Sequence, residues 1–323
     1  MARFANLSEL EIDELEQNKD AESTKKVVEK SVRTFRAFLA EKNESINFED
    51  YNLVELKKAL RLFYANARTK KGELYKVTSI VQLRYGLSKF IQSQLGYDIL
   101  GAGFEDVNGS FSAMRKELTR RGKGDIVHHP PISESDMKKL YEHPLAFKTR
   151  ASVGLQNKVM FEVILFMCRR GRENLHSMNK DFYGIFKDDE GKEYVEQKQS
   201  EVNKNHSEKR KHTETTGEGR MYERPGDPMC PVASYKSYTA KLNPNCDALW
   251  QRPADAIDDD DANPWYTNRR VGVNTIAKFM SELSKMAKLS VTYTNHSIRA
   301  TSITMMDNAG MEARHIMRVS GHR

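Results

Sequence analysis

Cysteine is scarce in this chain. Cys168, Cys230 and Cys246 are the only three among 323 residues, and their spacing is irregular. Such a set cannot form a disulfide framework, which points to a reducing compartment. No Cys-x-x-Cys pair and no His/Cys cluster at finger spacing occurs, so the expectation is no metal site. Long apolar runs are missing as well. The most apolar stretch, Val159 to Met167, is far shorter than the ~20 residues a membrane span needs, and Glu162 interrupts it. The opening MARFANLSELEIDELEQ lacks the charged-then-apolar order of a secretion signal. Membrane insertion and secretion therefore both fall outside the expectation.

The chain does have charge and helical pattern. Lysine and arginine number 52 against 45 acidic residues, a net charge of +7 that favours a polyanionic partner without specifying one. Residues 1–23 are acidic and polar. From Thr24, read as an N-cap, Val28, Val32, Phe35 and Leu39 form one apolar stripe. Similar stripes run over 53–67 (Leu53, Leu56, Leu60, Phe63), 79–94 (Leu83, Leu87, Phe90, Ile91) and 110–121 (Phe111, Met114, Leu118). Four such helices with short polar joints make a small all-α domain over 24–121.

Residues 122–131, GKGDIVHHPP, hold two glycines, two adjacent prolines and no apolar period, and read as a linker. The second domain, 132–323, opens with the capping-box spacing of Ser133 and Asp136. A strongly apolar helix over 153–169 is the expected centre of its core. Period two then appears in Phe182–Lys187 and Lys192–Gln197 around DDEG, a β-hairpin. Residues 198–220 read as polar loop, Cys230-Pro231 as a helix start, and 255–263 as part of an acidic loop. Helices are expected over 274–288, after Thr294 and after Gly310. The fold class is mostly α with one small antiparallel sheet.

The chemistry-bearing residues gather near the end of the chain. In NHSIRATSIT, His296 and Arg299 are three apart on a helix, so both side chains are expected on one face. A further helix ends in Gly321-His322. Far upstream the apolar helix ends in CRRGRENL, where Arg170 precedes Glu173 by three residues.

With RGRENL, EYVEQKQSEVNKNH, MCPVASYKSYTAKLNPNC, and NHSIRATSIT through SGHR, the chain resembles the tyrosine recombinases, or phage-integrase-like family. The resemblance is sharpest to the Crypton type and its domesticated relatives, among them the C-terminal domains of some MYM-type zinc-finger proteins. It implies a helical core-binding domain that grips double-stranded DNA, followed by a mainly α catalytic domain. Breaking a phosphodiester without metal or cofactor requires neutralising a phosphorane that carries extra negative charge, and paired guanidinium groups suit that. By the resemblance, Arg170 and Arg299 clamp the phosphate, with Glu173 orienting Arg170. His296 assists deprotonation of an attacking tyrosine, and His322 donates to the same phosphate. Lys204, with Lys198 as rival, protonates the departing 5′ oxygen. The tyrosine, expected about nine residues beyond His322 and so past residue 323, would store the bond energy as a 3′-phosphotyrosine. Arg172 is an alternative clamp. The resemblance further implies a homo-oligomeric, tetrameric synapse on DNA and a nuclear protein.

Each residue also has a plainer reading. Arg170 alone fits a helix C-terminus, and His296 or His322 alone fits an ordinary surface. The basic cluster Arg115, Lys116, Arg120, Arg121 and Lys123 serves equally as a DNA-backbone contact or as a charged helix end. Tyr64, Tyr75, Tyr85 and Phe90 read as core or surface rather than as a base-stacking platform. Lys209–Lys211 and Asp258–Asp261 read as solvated loop, and Met305, Met306, Met311 and Met317 as helix packing. Three functions stay open: strand cleavage and rejoining by a mobile-element recombinase, a domesticated domain that binds DNA or chromatin without cutting, and a helical interaction module in which even DNA binding is lost.

Overall fold

A computed structural model describes residues 7–11, 20–125, 128–169, 171, 174–198, 219–254 and 264–321. The chain divides into two compact units, Met1–Val127 and His128–Arg323.

The first unit is helical: α1 (Glu22–Glu41), α2 (Leu53–Asn66), α3 (Val77–Leu95) and α4 (Glu105–Arg120). Each apolar stripe faces inward. Val32, Phe35, Leu39, Leu56, Leu60, Phe63, Leu83, Leu87, Ile91, Phe111 and Leu118 are all buried. Helix α1 packs chiefly on α3, and α2 on α4. Phe35 lies edge-on to Phe48 and Phe63 with centroids 4.9 and 5.1 Å apart, the preferred offset geometry for aromatic rings. Two details differ from the pattern-based expectation. Helix α1 is capped by Ala21 rather than Thr24, so Thr24 lies in its first turn. Leu53 is exposed because it is the first residue of α2, where the helix has not yet reached the core. Asn52 caps that helix instead, with Glu55 closing a capping box.

Residues 122–125 behave as part of this unit. Gly122 adopts φ +69, and the Lys123 N–H reaches back to the Leu118 carbonyl at 2.9 Å, a Schellman closure of α4. The Lys123 carbonyl accepts from the Val77 N–H at 2.9 Å. On the other side His129 and Ile132 bond to residues of the second unit. The glycine that looked like linker is a helix stop.

The second unit contains α5 (Glu134–Glu142), α6 (Ser152–Phe166), α7 (Pro231–Ala240), α8 (Val273–Met286), α9 (Asn295–Asn308) and α10 (Ala313–Ser320). The hairpin is present as β1 (Tyr183–Lys187) and β2 (Glu193–Gln197). In addition to the hairpin's sheet, the described residues form a second small antiparallel sheet. A two-residue β3 (Met221–Tyr222) extends the hairpin, and β4 (Gln251–Pro253) pairs with β5 (Tyr266–Arg270). At two and three residues, β3 and β4 carry too few residues to show a period of two. Helix α6 is buried on nearly every side and packs on α7 and α9. Met305, Met311 and Met317 are 48%, 40% and 43% exposed, so they do not pack as expected.

Ser133 and Asp136 form half a capping box. The Ser133 hydroxyl accepts from the Asp136 N–H at 3.2 Å, but the Asp136 carboxylate turns to the segment before α9. There it accepts from the Ser290 N–H at 3.1 Å, the Ser290 hydroxyl and the Tyr293 hydroxyl at 3.0 Å. Burial opposes the charged carboxylate, yet the bonds from Ser290 and Tyr293 outweigh it and hold Asp136 below its usual range. A depressed native pKa stabilises the fold above the unfolded value near 4, and that contribution disappears as pH falls through the native value. Asp136→Asn is therefore expected to cost about 1–3 kcal/mol in urea unfolding at neutral pH. The difference from wild type should shrink towards zero as pH falls through the native value.

Candidate functional site

The site is built on α9. Thr294 caps the helix in a box with Ser297, which sets where the first turn begins. Helical periodicity then puts Asn295, Arg299 and Ser302 along one face, and all three are buried. That face meets the end of α6 and the turn after it. Ser302 Oγ donates to the Leu165 carbonyl at 2.6 Å, Arg299 Nη1 to the Cys168 carbonyl at 3.3 Å, and Asn295 Nδ2 to the Gly171 carbonyl at 2.7 Å. These are three rungs of a buried polar ladder. Two of them bond to the carbonyls of the turn past the helix end, and the bond to Leu165 gives that carbonyl a second donor.

The far side of the ladder is shaped to match. Cys168 sits at φ +47, and Cys168 and Arg169 donate back to Leu165 and Ile164 at 3.2 and 3.0 Å, a Schellman turn without glycine. This turn aims the Cys168 carbonyl at Arg299. Burial pushes the Cys168 thiol up, against the opposing effect of nearby Arg299, so the sulfur stays protonated. At Gly171 a Cβ would collide with the Asn295 Cβ and carbonyl carbon, so only glycine permits this approach. Asn295 also accepts from the Met280 N–H at 2.9 Å and donates to the Ile276 carbonyl at 2.7 Å, tying the turn to α8.

Two more segments arrive at the same place. Arg299 Nη2 donates to the Ser320 carbonyl at the end of α10, so one guanidinium joins the negative ends of two helices. On the opposite flank Arg169 donates to Gln197 at 3.0 Å, and its guanidinium lies 5.5 Å from the Phe182 ring. The residue before Arg170 is thereby clipped to the residue before Lys198. Lys198 itself is exposed just past β2.

Arg299 and His296, singled out in the sequence as phosphate clamp and proton acceptor, are both described, and their orientations differ. Arg299 is 9% exposed, whereas His296 is exposed at the rim. Three residues turn a helix by 300°, so side chains three apart diverge by about 60° rather than sharing one direction. His296 instead stacks on His129, centroids 4.9 Å apart and planes 18° from parallel. His129 Nδ1 lies 3.2 Å from the Thr294 hydroxyl. Arg170, Arg172, Glu173, Lys204 and His322 lie outside the described residues, as do Lys209–Lys211 and Asp258–Asp261. In the first unit Arg115, Lys116 and Arg120 are exposed on α4. Arg121 and Arg120 pair with Glu117 at 2.8 and 3.5 Å, which holds that carboxyl below its usual range and offsets part of the cluster's charge. Lys123 is half-buried.

The sequence reading missed Asn295, Ser302 and His129. A signal for the first two existed in the polar spacing 295, 299, 302, which is a helical face; His129 was hidden in what looked like linker.

Comparison of the sequence with protein-family models and with curated proteins returns no match. Comparison of the structure does. The Tn1549 transposon integrase, solved in complex with circular intermediate DNA, is 13% identical with a TM-score of 0.50, over 96% of this chain and 89% of that one. The fold is that of the tyrosine recombinases. A lambda integrase dimer bound to a core site is 12% identical with a TM-score of 0.41, over 97% of this chain and 82% of that one. XerA recombinase is 14% identical with a TM-score of 0.33, over 96% and 87%. Within this recombinase fold, the described part of the site lies wholly in the second unit. Among the described residues no cluster of His, Cys, Asp or Glu could hold a metal ion, and no helix is long and apolar enough to cross a membrane.

Proposed function

We propose that this chain binds double-stranded DNA and is the phosphate-gripping part of a Crypton-type tyrosine recombinase. Cleavage and rejoining would pass through a 3′-phosphotyrosine on a residue downstream of His322. The observation that carries the reading is the convergence of distant parts of the chain: Arg299 and Asn295 bond to Cys168, Ser320 and Gly171, and Arg169 bonds to Gln197. Each adjoins or contains a residue of the required set. Arg170 and Arg299 would neutralise the non-bridging oxygens, with Glu173 behind Arg170. His296 and His322 would serve the nucleophile and the phosphate, and Lys204 or Lys198 the leaving oxygen. Arg115, Lys116, Arg120, Arg121 and Lys123 would contact the DNA backbone. The same reading carries a tetrameric synapse and a nuclear site of action.

One observation favours a second reading, a domesticated DNA-binding domain that does not cut. Arg299 donates to two backbone carbonyls, which is also how an arginine fastens a fold.

Both readings require duplex binding that weakens steeply with salt, because lysines and arginines displace condensed counterions. Fluorescence anisotropy on labelled duplex should give a steep negative log–log slope. Arg115→Ala with Lys116→Ala should make that slope shallower by about one for each phosphate contact removed. A flat salt response, or no duplex binding at low salt, would sink both.

A further inference from the structure

The outer face of the β1–β2–β3 sheet carries rings where solvent-facing positions ordinarily carry polar groups. Strand alternation sends Tyr183, Val195 and Met221 to the core side and puts Phe186, Tyr194 and Tyr222 on the other, where neighbouring side chains leave Tyr194 only 8% exposed. The register pairs Phe186 with Tyr194 and Tyr194 with Tyr222. Ring centroids follow at 5.9 and 5.2 Å, with planes tilted by 30° and 38°. One aromatic row therefore crosses all three strands. Phe186 is 39% exposed.

Cations lie on and beside this row. The Arg220 guanidinium is 4.5 Å from the Tyr194 ring centroid, and the Lys192 ammonium is 5.5 Å from that of Tyr222. Glu196 holds Arg220 at 2.9 Å. The stem of Lys198 crosses Gly184 next to the Phe186 ring, where any Cβ would collide with both. Cross-strand aromatic pairing stabilises a sheet, which accounts for rings that touch. It does not account for three cations against one carboxylate along the same row. Flat π surfaces bordered by positive charge suit nucleobases that are free to stack, with their phosphates on the cations. Bases inside a duplex are already stacked and cannot use such a face.

We propose that this face binds unpaired nucleotides of a DNA strand. One base stacks on the open side of Phe186 and a neighbour on the guanidinium that covers Tyr194, while Lys192 and Lys198 meet the backbone. The inference deepens the DNA-handling reading. Lys198 follows Gln197, which lies on the opposite side of β2 and is bonded to Arg169, so the strand that carries the face ends beside the turn after α6.

The test uses the whole chain with three labelled probes: a short oligothymidine, an abasic strand of the same length, and a duplex. Oligothymidine should bind about tenfold more tightly than the abasic strand, since stacking is what distinguishes them. Phe186→Ala with Arg220→Ala should lower oligothymidine affinity about tenfold or more and leave duplex affinity nearly unchanged. A Phe186→Trp variant keeps the ring and guards against a misfolded double variant. Its fluorescence should be quenched by oligothymidine, against a background from Trp250 and Trp265 that are 0% and 5% exposed. Equal affinity for the abasic strand, or an unquenched Phe186→Trp variant, overturns the inference. If duplex binds and oligothymidine does not, this inference alone falls; if neither binds, the DNA reading falls with it.

Discussion

Arg299→Ala, in a protein that carries the downstream tyrosine, is expected to reduce covalent attachment to DNA by about 10²–10³-fold, the usual cost of removing one preorganised donor from a charged transition state. Duplex affinity should change much less, because binding is spread over many backbone contacts while the transition-state charge rests on few groups. The substitution also removes two bonds to buried carbonyls, those of Cys168 and Ser320. A stability loss of about 1–3 kcal/mol should accompany it. Arg299→Lys separates the two effects. An ammonium can still satisfy a carbonyl, but it cannot present two parallel donors to a phosphate. Melting temperature should therefore recover in the lysine variant while covalent attachment, measured by denaturing gel, stays low. If attachment per folded molecule matches wild type in both variants, Arg299 fastens the fold and the non-cutting reading is the better one.

The largest stability effect is expected in the middle of α6. Lys158 and Glu162 form an ion pair at 2.6 Å with both side chains essentially without solvent. The Lys158 ammonium also donates to the Met229 carbonyl at 3.0 Å, and Glu162 accepts from the Tyr141 hydroxyl at 3.2 Å. Burial pushes the Glu162 carboxyl up, against the opposing pull of Lys158. Lys158→Ala would leave that carboxylate buried and uncompensated. It is expected to cost about 3–5 kcal/mol, and the carboxyl should bind a proton in response. For a unit of this size the melting temperature should fall by roughly 10–15 °C. Replacing the pair together, Lys158→Met with Glu162→Leu, should be near neutral or stabilising, because the desolvation cost vanishes along with the attraction. A double variant as unstable as the single one would mean that the pair contributes through packing or through its contacts to Met229 and Tyr141.

Much of the fold was legible because its signals are local. The stripe through Leu83, Leu87 and Ile91 marks α3, and the alternation around DDEG marks the β1–β2 hairpin. Cys230-Pro231 marks the start of α7, where proline occupies the first turn. Reading failed where the deciding contact was remote. Asp136 looked like the far half of a capping box, yet its carboxylate is committed to Ser290 and Tyr293, more than 150 residues away. Two other misreadings were local: Gly122, read as linker, closes α4 through the Lys123 N–H and the Leu118 carbonyl, only five residues apart. Glu162 counted as an interruption of an apolar run, while the structure gives it a cation one turn back.

The sequence by itself determined the helical class of both units, the hairpin, the cap at Thr294 and the presence of Arg299 one turn into α9. These follow from periods of 3.6 and 2 and from capping chemistry, all of which act within a few residues. Only the tertiary structure decided which surfaces meet. Asn295, Arg299 and Ser302 become a ladder because their face lies against the end of α6, and Arg299 turns inward because two helix ends offer it carbonyls. Phe186, Tyr194 and Tyr222 become one row because a two-residue strand, 24 residues beyond β2, lands beside Tyr194. Local pattern fixes which side of an element is buried; what it is buried against depends on packing between parts of the chain that no short-range period connects.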